Sequence, residues 1–140
     1  MLITKTEDGS FRARPMMVAR ADDDGRLWFV TRLESDVIEE VLADPQCGVT
    51  MQDFSTFLSM SGTCYTRRDE DMLNELWSKS FELWFNREEA VIIEFKGRDA
   101  EYWAGGLRGL KFLFEATRAV ITGEKIRPSR VGDHSRIEIN

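Results

Sequence analysis

An arginine near the start of the chain stands beside the side chains best suited to bind a phosphate group. Arg14 lies in a strand-like run and is followed by a proline and two flexible methionines. After the next turn, Thr31 ends another strand-like run and Ser35 stands where a helix begins. A guanidinium offers a planar fork to phosphate oxygens, while hydroxyl groups and the backbone N–H groups at a helix start add neutral donors. This segment is therefore predicted to hold a phosphate monoester beside an apolar strand surface.

Simpler interpretations of these residues stay open. Arg14 before a proline also suits a surface salt bridge, and the hydroxyls of Thr31 and Ser35 also suit caps. The two methionines equally suit the filling of a barrel interior. The adjacent carboxylates Glu39 and Glu40 are typical of a solvated helix face.

The chain offers little for other kinds of chemistry. His134 is the single histidine and stands in a polar C-terminal segment, which disfavours a Ser-His-Asp triad and a zinc site with Cys47 and Cys64. The glycine-rich segment 105–109 lacks the preceding strand and following acidic residue of a dinucleotide-binding fingerprint. The sequence therefore indicates no catalytic side chain and no metal site.

Length and charge narrow the function classes. At 140 residues and 16.2 kDa the chain is predicted to form one globular domain. Its net charge of −6 concentrates in an acidic middle, which disfavours a nucleic-acid groove. Since no stretch reaches the roughly 20 apolar residues of a membrane span, and the two isolated cysteines are typical of reduced thiols, we expect a cytoplasmic protein without a membrane partner.

Short strand-like runs and a few helices must position the arginine-rich segment. The predicted strands cover residues 2–6, 11–20, 27–31, 47–54, 56–66, 90–95 and 101–104. The predicted helices cover residues 36–43 after an N-cap at Ser35, 70–77 after an N-cap at Asp69, and 107–121, with a helical turn at 81–85. This pattern predicts a small antiparallel β-barrel with helical covers.

Eight short motifs follow one another over residues 2–123. They are ARPM at 13–16, GRLWFVT at 25–31 with Ser35 following, DP at 44–45, GVTMQDF at 48–54, SMSGTCY at 59–65, ELW at 75–77, LWF at 83–85 and EYW at 101–103. In this order they resemble the general stress protein branch of the pyridoxamine 5'-phosphate oxidase-like flavin-binding split barrels. The resemblance implies a mainly β fold, a six- to seven-stranded antiparallel split β-barrel over residues 1–124. The composition of the polar tail at 125–140 predicts a segment that is loose or packed on a partner subunit.

The resemblance also implies a function. It implies a homodimer with FMN in a cleft between the subunits, and redox chemistry by hydride or electron transfer through that flavin. Thr31 and Ser35 would meet the phosphate, and two tryptophans would border the cleft. The implied cofactor-binding residues are Arg14, Pro15, Met16, Met17, Val30, Thr31, Ser35, Gln52, Asp53, Trp84 and Trp103.

One departure from the family pattern leaves an alternative open. Val37 stands where the family has a lysine, and loss of a charge-assisted bond to phosphate would cost about 1.5–3 kcal/mol unless Arg12 or Arg32 compensates. The alternative is a non-catalytic dimeric ligand-binding or stress-response module that has lost flavin. The basic, histidine-containing C-terminal motif of true pyridoxamine phosphate oxidases is not recognisable, so oxidation of vitamin B6 is not expected.

Overall fold

The structure, a computed structural model, describes residues 1–53, 56–104 and 133–139. Its strands are β1 Leu2–Lys5, β2 Phe11–Arg14, β3 Val18–Ala21, β4 Arg26–Arg32, β5 Gln46–Asp53, β6 Thr56–Arg67, β7 Ala90–Ala104 and β8 Asp133–Glu138. Its helices are α1 Asp36–Ala43 and α2 Glu70–Leu76, followed by 3₁₀ turns at Lys79–Leu83 and Arg87–Glu89. The predicted helix at 107–121 lies outside the described residues.

The strands form one antiparallel sheet that rolls back on itself. Its order is β2-β1-β5-β6-β7-β4-β3, with β8 added to β7. Strands β2 and β3 stand at opposite ends of this order, yet only residues 15–17 connect them. Four Cα steps span at most about 15 Å, so the two ends must come close together. The predicted mainly β, split-barrel fold is thereby confirmed.

The N-terminal strand predicted over residues 11–20 is two strands. It breaks at Pro15, which has no N–H group for a sheet ladder. β2 pairs with β1 and β3 pairs with β4. The break therefore divides one predicted strand between the two ends of the sheet, with residues 15–17 at the split.

The two predicted strands at 90–95 and 101–104 are one long strand with a bulge. Ser61 of β6 pairs with Asp99, whereas the next residue, Gly62, pairs with Gly97, so Arg98 is the extra residue of β7. An extra residue reverses which face the following side chains point to. The apolar alternation is out of phase on the two sides of the bulge, so the sequence pattern predicts two strands where the structure has one.

Glycine is required opposite the bulge. A Cβ atom at Gly62 would lie 2.1 Å from the carbonyl oxygen of Lys96. On either side of the bulge, Phe95 and Ala100 both remain buried in the barrel interior. The bulge therefore lets both halves of β7 face one core, and the missing side chain at Gly62 leaves room for it.

Apolar side chains pack on both faces of the sheet. The barrel interior is closed at one end by α1, through Val37, Ile38 and Val41. On the outer face, α2 and the following 3₁₀ turn cover a second cluster that comprises Trp28, Val30, Leu73, Leu76, Phe81 and Ile92. The N-terminal arginines belong to this same sheet, because Arg12 and Arg14 lie on β2 and pair with β1.

The two predicted N-caps behave differently. The Asp69 side chain accepts a hydrogen bond from the Met72 N–H at 3.0 Å, as a capping carboxylate does. The Ser35 hydroxyl instead donates to the carbonyl of Arg32 at 2.6 Å. Ser35 thus occupies the N-cap position of α1 while its side chain fastens the turn before the helix.

Part of the C-terminal segment, for which a loose tail or packing on a partner subunit is predicted, adds a strand to the sheet. Residues Asp133–Glu138 form β8, which pairs antiparallel with residues 99–104 of β7. The alternating pattern of Ile137 and Ile139 fits an added strand. No helix in the described part of the chain is long and apolar enough to cross a membrane.

Candidate functional site

A cleft lies where the split in the barrel meets the start of α1. It has a volume of about 360 Å³ and is called the arginine cleft below. It is lined by Arg12, Arg14, Pro15, Met16, Thr31, Arg32, Glu34, Ser35, Asp36 and Val37. The structure therefore brings together five of the implied site residues with Val37, although β2, β4 and α1 are separate elements.

One terminal nitrogen of Arg14 is paired and the other is not. Its Nη2 atom donates to Oε2 of Glu40 at 2.6 Å. Its Nη1 atom is buried and has no hydrogen-bond partner among the described residues. Leaving a charged donor unpaired is costly, so a ligand anion that reached it would be stabilised. The salt-bridge interpretation and the phosphate interpretation of Arg14 thus use different nitrogen atoms of one guanidinium.

Glu40 is the residue of this site that the sequence interpretation missed. The pair Glu39 and Glu40 was assigned to a solvated face, but the Glu40 side chain is only 8% exposed. It accepts from the Thr4 hydroxyl at 2.5 Å and from Arg14, and it lies 2.9 Å from Nη1 of Arg12. The signal was helical spacing, because Glu40 follows the buried Val37 by three residues and shares its face.

The charges around the arginine cleft are balanced. Its three arginines stand against Glu34 and Asp36 in its lining and Glu40 behind it. Val37 adds no charge, and its side chain is only 3% exposed because it packs into the barrel interior. Hydrogen-bond donors rather than a strong positive field must therefore attract an anion here.

A larger neighbouring cleft has the opposite character. It has a volume of about 720 Å³ and is lined by Thr6, Glu7, Asp8, Ser10, Arg12, Asp36, Glu39, Glu40 and Ala43; it is called the acidic cleft below. Hydrogen bonds from Thr6 and Ser10 lower the pKa of Asp8 to about 2, so this carboxylate stays charged. The acidic side chains would repel an anionic ligand, so the arginine cleft is the better candidate for a phosphate site although it has the smaller volume.

Six implied site residues do not line the arginine cleft. Met17 and Trp84 are exposed, and Val30 is buried under α2. Gln52, Phe57 and Trp103 form one row across the outer face of β5, β6 and β7, with Asp53 beside it. Thr31 pairs near the start of β7 and Trp103 stands near its end, about 40 Å further along the strand path. Within one chain, Gln52, Asp53 and Trp103 therefore form a second group, separate from the arginine cleft.

The cysteines are not placed for nucleophilic chemistry. Both are free thiols; Cys64 is buried and Cys47 is half-buried on the neighbouring strand. A hydrogen bond with Cys47, together with burial, raises the pKa of the Cys64 thiol. A protonated thiol is a poor nucleophile and metal ligand. Within the described ranges no cluster of three or more His, Cys, Asp or Glu side chains could hold a metal ion.

Solved structures share this fold. A putative general stress protein 26 from Jannaschia is 24% identical, with a TM-score of 0.68 over 98% of this chain and 88% of its own. A Clostridium acetobutylicum protein related to general stress protein 26 is 18% identical, with a TM-score of 0.67 over 74% of this chain and 78% of its own. A pyridoxamine 5'-phosphate oxidase-related, FMN binding protein from Nostoc punctiforme is 14% identical, with a TM-score of 0.62 over 77% of this chain and 74% of its own.

Sequence comparison gives the family. No curated protein sequence matched the chain. A family profile described as pyridoxamine 5'-phosphate oxidase like matches residues 1–127, which include every element from β1 to β7 and the whole arginine cleft. The chain therefore belongs to the pyridoxamine 5'-phosphate oxidase-like family.

Proposed function

We propose that this protein binds FMN, with the flavin phosphate in the arginine cleft. The observation that carries the proposal is the meeting of Arg14, Thr31 and Ser35 at the split of the barrel, with a buried Arg14 nitrogen that lacks a partner among the described residues. The Arg14 guanidinium and the Thr31 hydroxyl suit a phosphate monoester, and Ser35, whose own hydroxyl donates to the Arg32 carbonyl, places the start of α1 beside them. The FMN-binding description of the Nostoc punctiforme protein supports the choice of flavin.

The chain's own residues would bind and orient the cofactor. Arg14 would donate to the phosphate while Glu40 fixes its guanidinium, and Thr31 would add a hydroxyl donor. Met16, packed partly against the barrel interior, would give the ligand an apolar wall that excludes water. A bound flavin would supply hydride or electron transfer, which makes an oxidoreductase the corresponding activity.

We further propose that the working unit is a cytoplasmic homodimer. The second group of implied residues, on the outer face near Gln52 and Trp103, is separated from the arginine cleft within one chain. A second copy could bring its own group against the first copy's cleft and complete the site. Exposed aromatic side chains, among them Phe57 and Trp84, support a protein contact on the outer surface.

Titration of the purified apo-protein with FMN tests the proposal. We expect quenching or polarisation of flavin fluorescence with a micromolar or lower Kd and one flavin per chain. Riboflavin in a parallel titration reports the part of the affinity that does not depend on the phosphate. Absence of binding to both flavins at high concentration would contradict the proposed function.

A non-catalytic ligand-binding module is the second candidate. Val37 in place of the family's lysine, together with the balanced charges of the arginine cleft, favours it. Such a protein would be dimeric but would bind neither flavin in the titration above. The same experiment therefore separates the two candidates.

A further inference from the structure

Arg12 and Arg14 lie between the arginine cleft and the carboxylate of Glu40, which lines the acidic cleft. Arg12 and Asp36 line both the arginine cleft and the acidic cleft. Arg14 lines the first cleft, and Glu40 lines the second. Glu40 therefore reaches the guanidiniums from the side opposite to the proposed phosphate position.

Glu40 is held by short contacts on both oxygen atoms. Its Oε2 lies 2.6 Å from Nη2 of Arg14 and 2.5 Å from the Thr4 hydroxyl, and its Oε1 lies 2.9 Å from Nη1 of Arg12. A carboxylate that is 8% exposed needs such partners, since burying a charge without them is strongly unfavourable. The positive charges of Arg12 and Arg14 are thus partly neutralised by a carboxylate of their own chain.

The phosphate must share these arginines with Glu40. Arg12 is further paired with the exposed Asp36 at 2.9 Å, so two carboxylates compete for it. A phosphate monoester carries about −1.5 to −2 charges at neutral pH, whereas riboflavin carries none. Because the carboxylates cancel much of the positive charge of the arginines, a phosphate would gain directed hydrogen bonds here but little long-range electrostatic attraction.

We propose that Glu40, with Asp36 as a lesser partner, sets the selectivity of the arginine cleft for phosphate by neutralising Arg12 and Arg14. The preference of the cleft for FMN over riboflavin is then smaller than it would be without the Glu40 charge, and its phosphate affinity is restrained by the chain itself. This inference rests on the proposed function, because it assumes that a flavin phosphate occupies the arginine cleft.

The substitution Glu40→Gln tests this most directly. Glutamine keeps the length of the side chain and an oxygen that accepts from Arg14, but it removes the charge. FMN affinity is expected to rise about tenfold while riboflavin affinity changes less than about twofold. The matched control is Glu39→Gln, the same charge change at the adjacent exposed position of α1, for which less than about threefold is expected.

Folding is monitored by circular dichroism and the thermal midpoint of each variant. If Glu40→Gln does not fold, Asp36→Asn replaces it, because Asp36 is exposed and pairs with the same Arg12. For Asp36→Asn a smaller rise in the ratio of FMN to riboflavin affinity is expected.

The outcomes separate the inference from the proposed function. A folded Glu40→Gln or Asp36→Asn protein that binds both flavins with an unchanged or lowered ratio would overturn the inference alone. Failure of the wild type and all variants to bind either flavin would overturn the proposed function, and this inference with it.

Discussion

The two terminal nitrogen atoms of the Arg14 guanidinium have different surroundings. One terminal nitrogen is bound to Glu40, and the other is buried without a partner among the described residues. The ion pair fixes the side chain at the edge of the arginine cleft, where it is 19% exposed. A positioned arginine loses less conformational entropy on binding an anion than a free one does.

Replacing Arg14 tests its place in the site. Arg14→Ala is expected to weaken FMN binding at least about tenfold, because a charge-assisted hydrogen bond to phosphate is lost. Fluorescence titration measures the change. Arg98→Ala, at an exposed arginine on the β7 bulge, is the control and should leave the Kd unaltered. Equal affinities for the wild type and Arg14→Ala would remove Arg14 from the binding site.

Restoring the family's lysine tests the position of the phosphate. Val37→Lys is expected to tighten FMN binding about tenfold, because the lysine amine would reach the cleft and bond to the phosphate. It is also expected to lower the thermal midpoint, because the methylene groups of the lysine would replace a buried valine. Val41→Lys, at an equally buried position of α1 outside the cleft lining, should be destabilising without any gain in affinity. No tightening in a folded Val37→Lys protein would mean that the phosphate binds elsewhere.

The sequence indicates the residue types that line the arginine cleft better than the interactions between them. Arg14, Thr31 and Ser35 could be selected because their chemistry is visible in their residue types. Glu40 is harder to select, because two adjacent carboxylates usually face solvent. Its helical spacing from Val37 indicates a buried face, but nothing local indicates its arginine partner about 26 residues away. Ion pairs between elements remote in sequence leave little trace in local periodicity.

At the scale of elements, local signals predicted whole segments and missed irregularities. The bounds of α1 follow from its apolar spacing and from Asp44-Pro45, which ends it. The hairpin of β5 and β6 follows from alternation. The bulge of β7 was missed because a single extra residue reverses the alternation and imitates a chain break.

The bulge depends on a close backbone contact that can be tested. Gly62→Ala is expected to reduce the free energy of unfolding by about 1–3 kcal/mol, because its Cβ would lie 2.1 Å from a backbone oxygen. Gly48→Ala is the control, since its Cβ would lie 3.4 Å from the nearest backbone oxygen. Denaturant unfolding measures both variants. Equal stability losses would contradict the assignment of Gly62 as the constrained glycine.

At the scale of the whole molecule, the barrel alone does not bring all implied site residues together. The arginine cleft is built by β2, β4 and α1, whereas Gln52, Phe57 and Trp103 form a row on the outer face of β5, β6 and β7. A proposed second copy accounts for both groups in one site. The sequence could indicate this arrangement only through the family resemblance, because contacts between subunits have no local pattern.

A charge on the outer row tests the dimer. Phe57 is 45% exposed, so Phe57→Glu should preserve the fold of the subunit while it disrupts an apolar contact with a second copy. We expect a shift from dimer to monomer in sedimentation and a parallel loss of flavin affinity. Leu42→Glu, at an exposed apolar residue of α1, is the matched control. A variant that stays dimeric with unchanged affinity would exclude this row from the interface.

The central claim is that FMN is held by a pair of these chains, and sedimentation velocity followed at a flavin absorption wavelength tests it in one measurement. With FMN below saturation, we expect the flavin signal to sediment with a species of about 32 kDa, which is twice the 16.2 kDa of one chain. A flavin signal that stays with the free ligand, or one that moves with a 16.2 kDa monomer, would contradict the account.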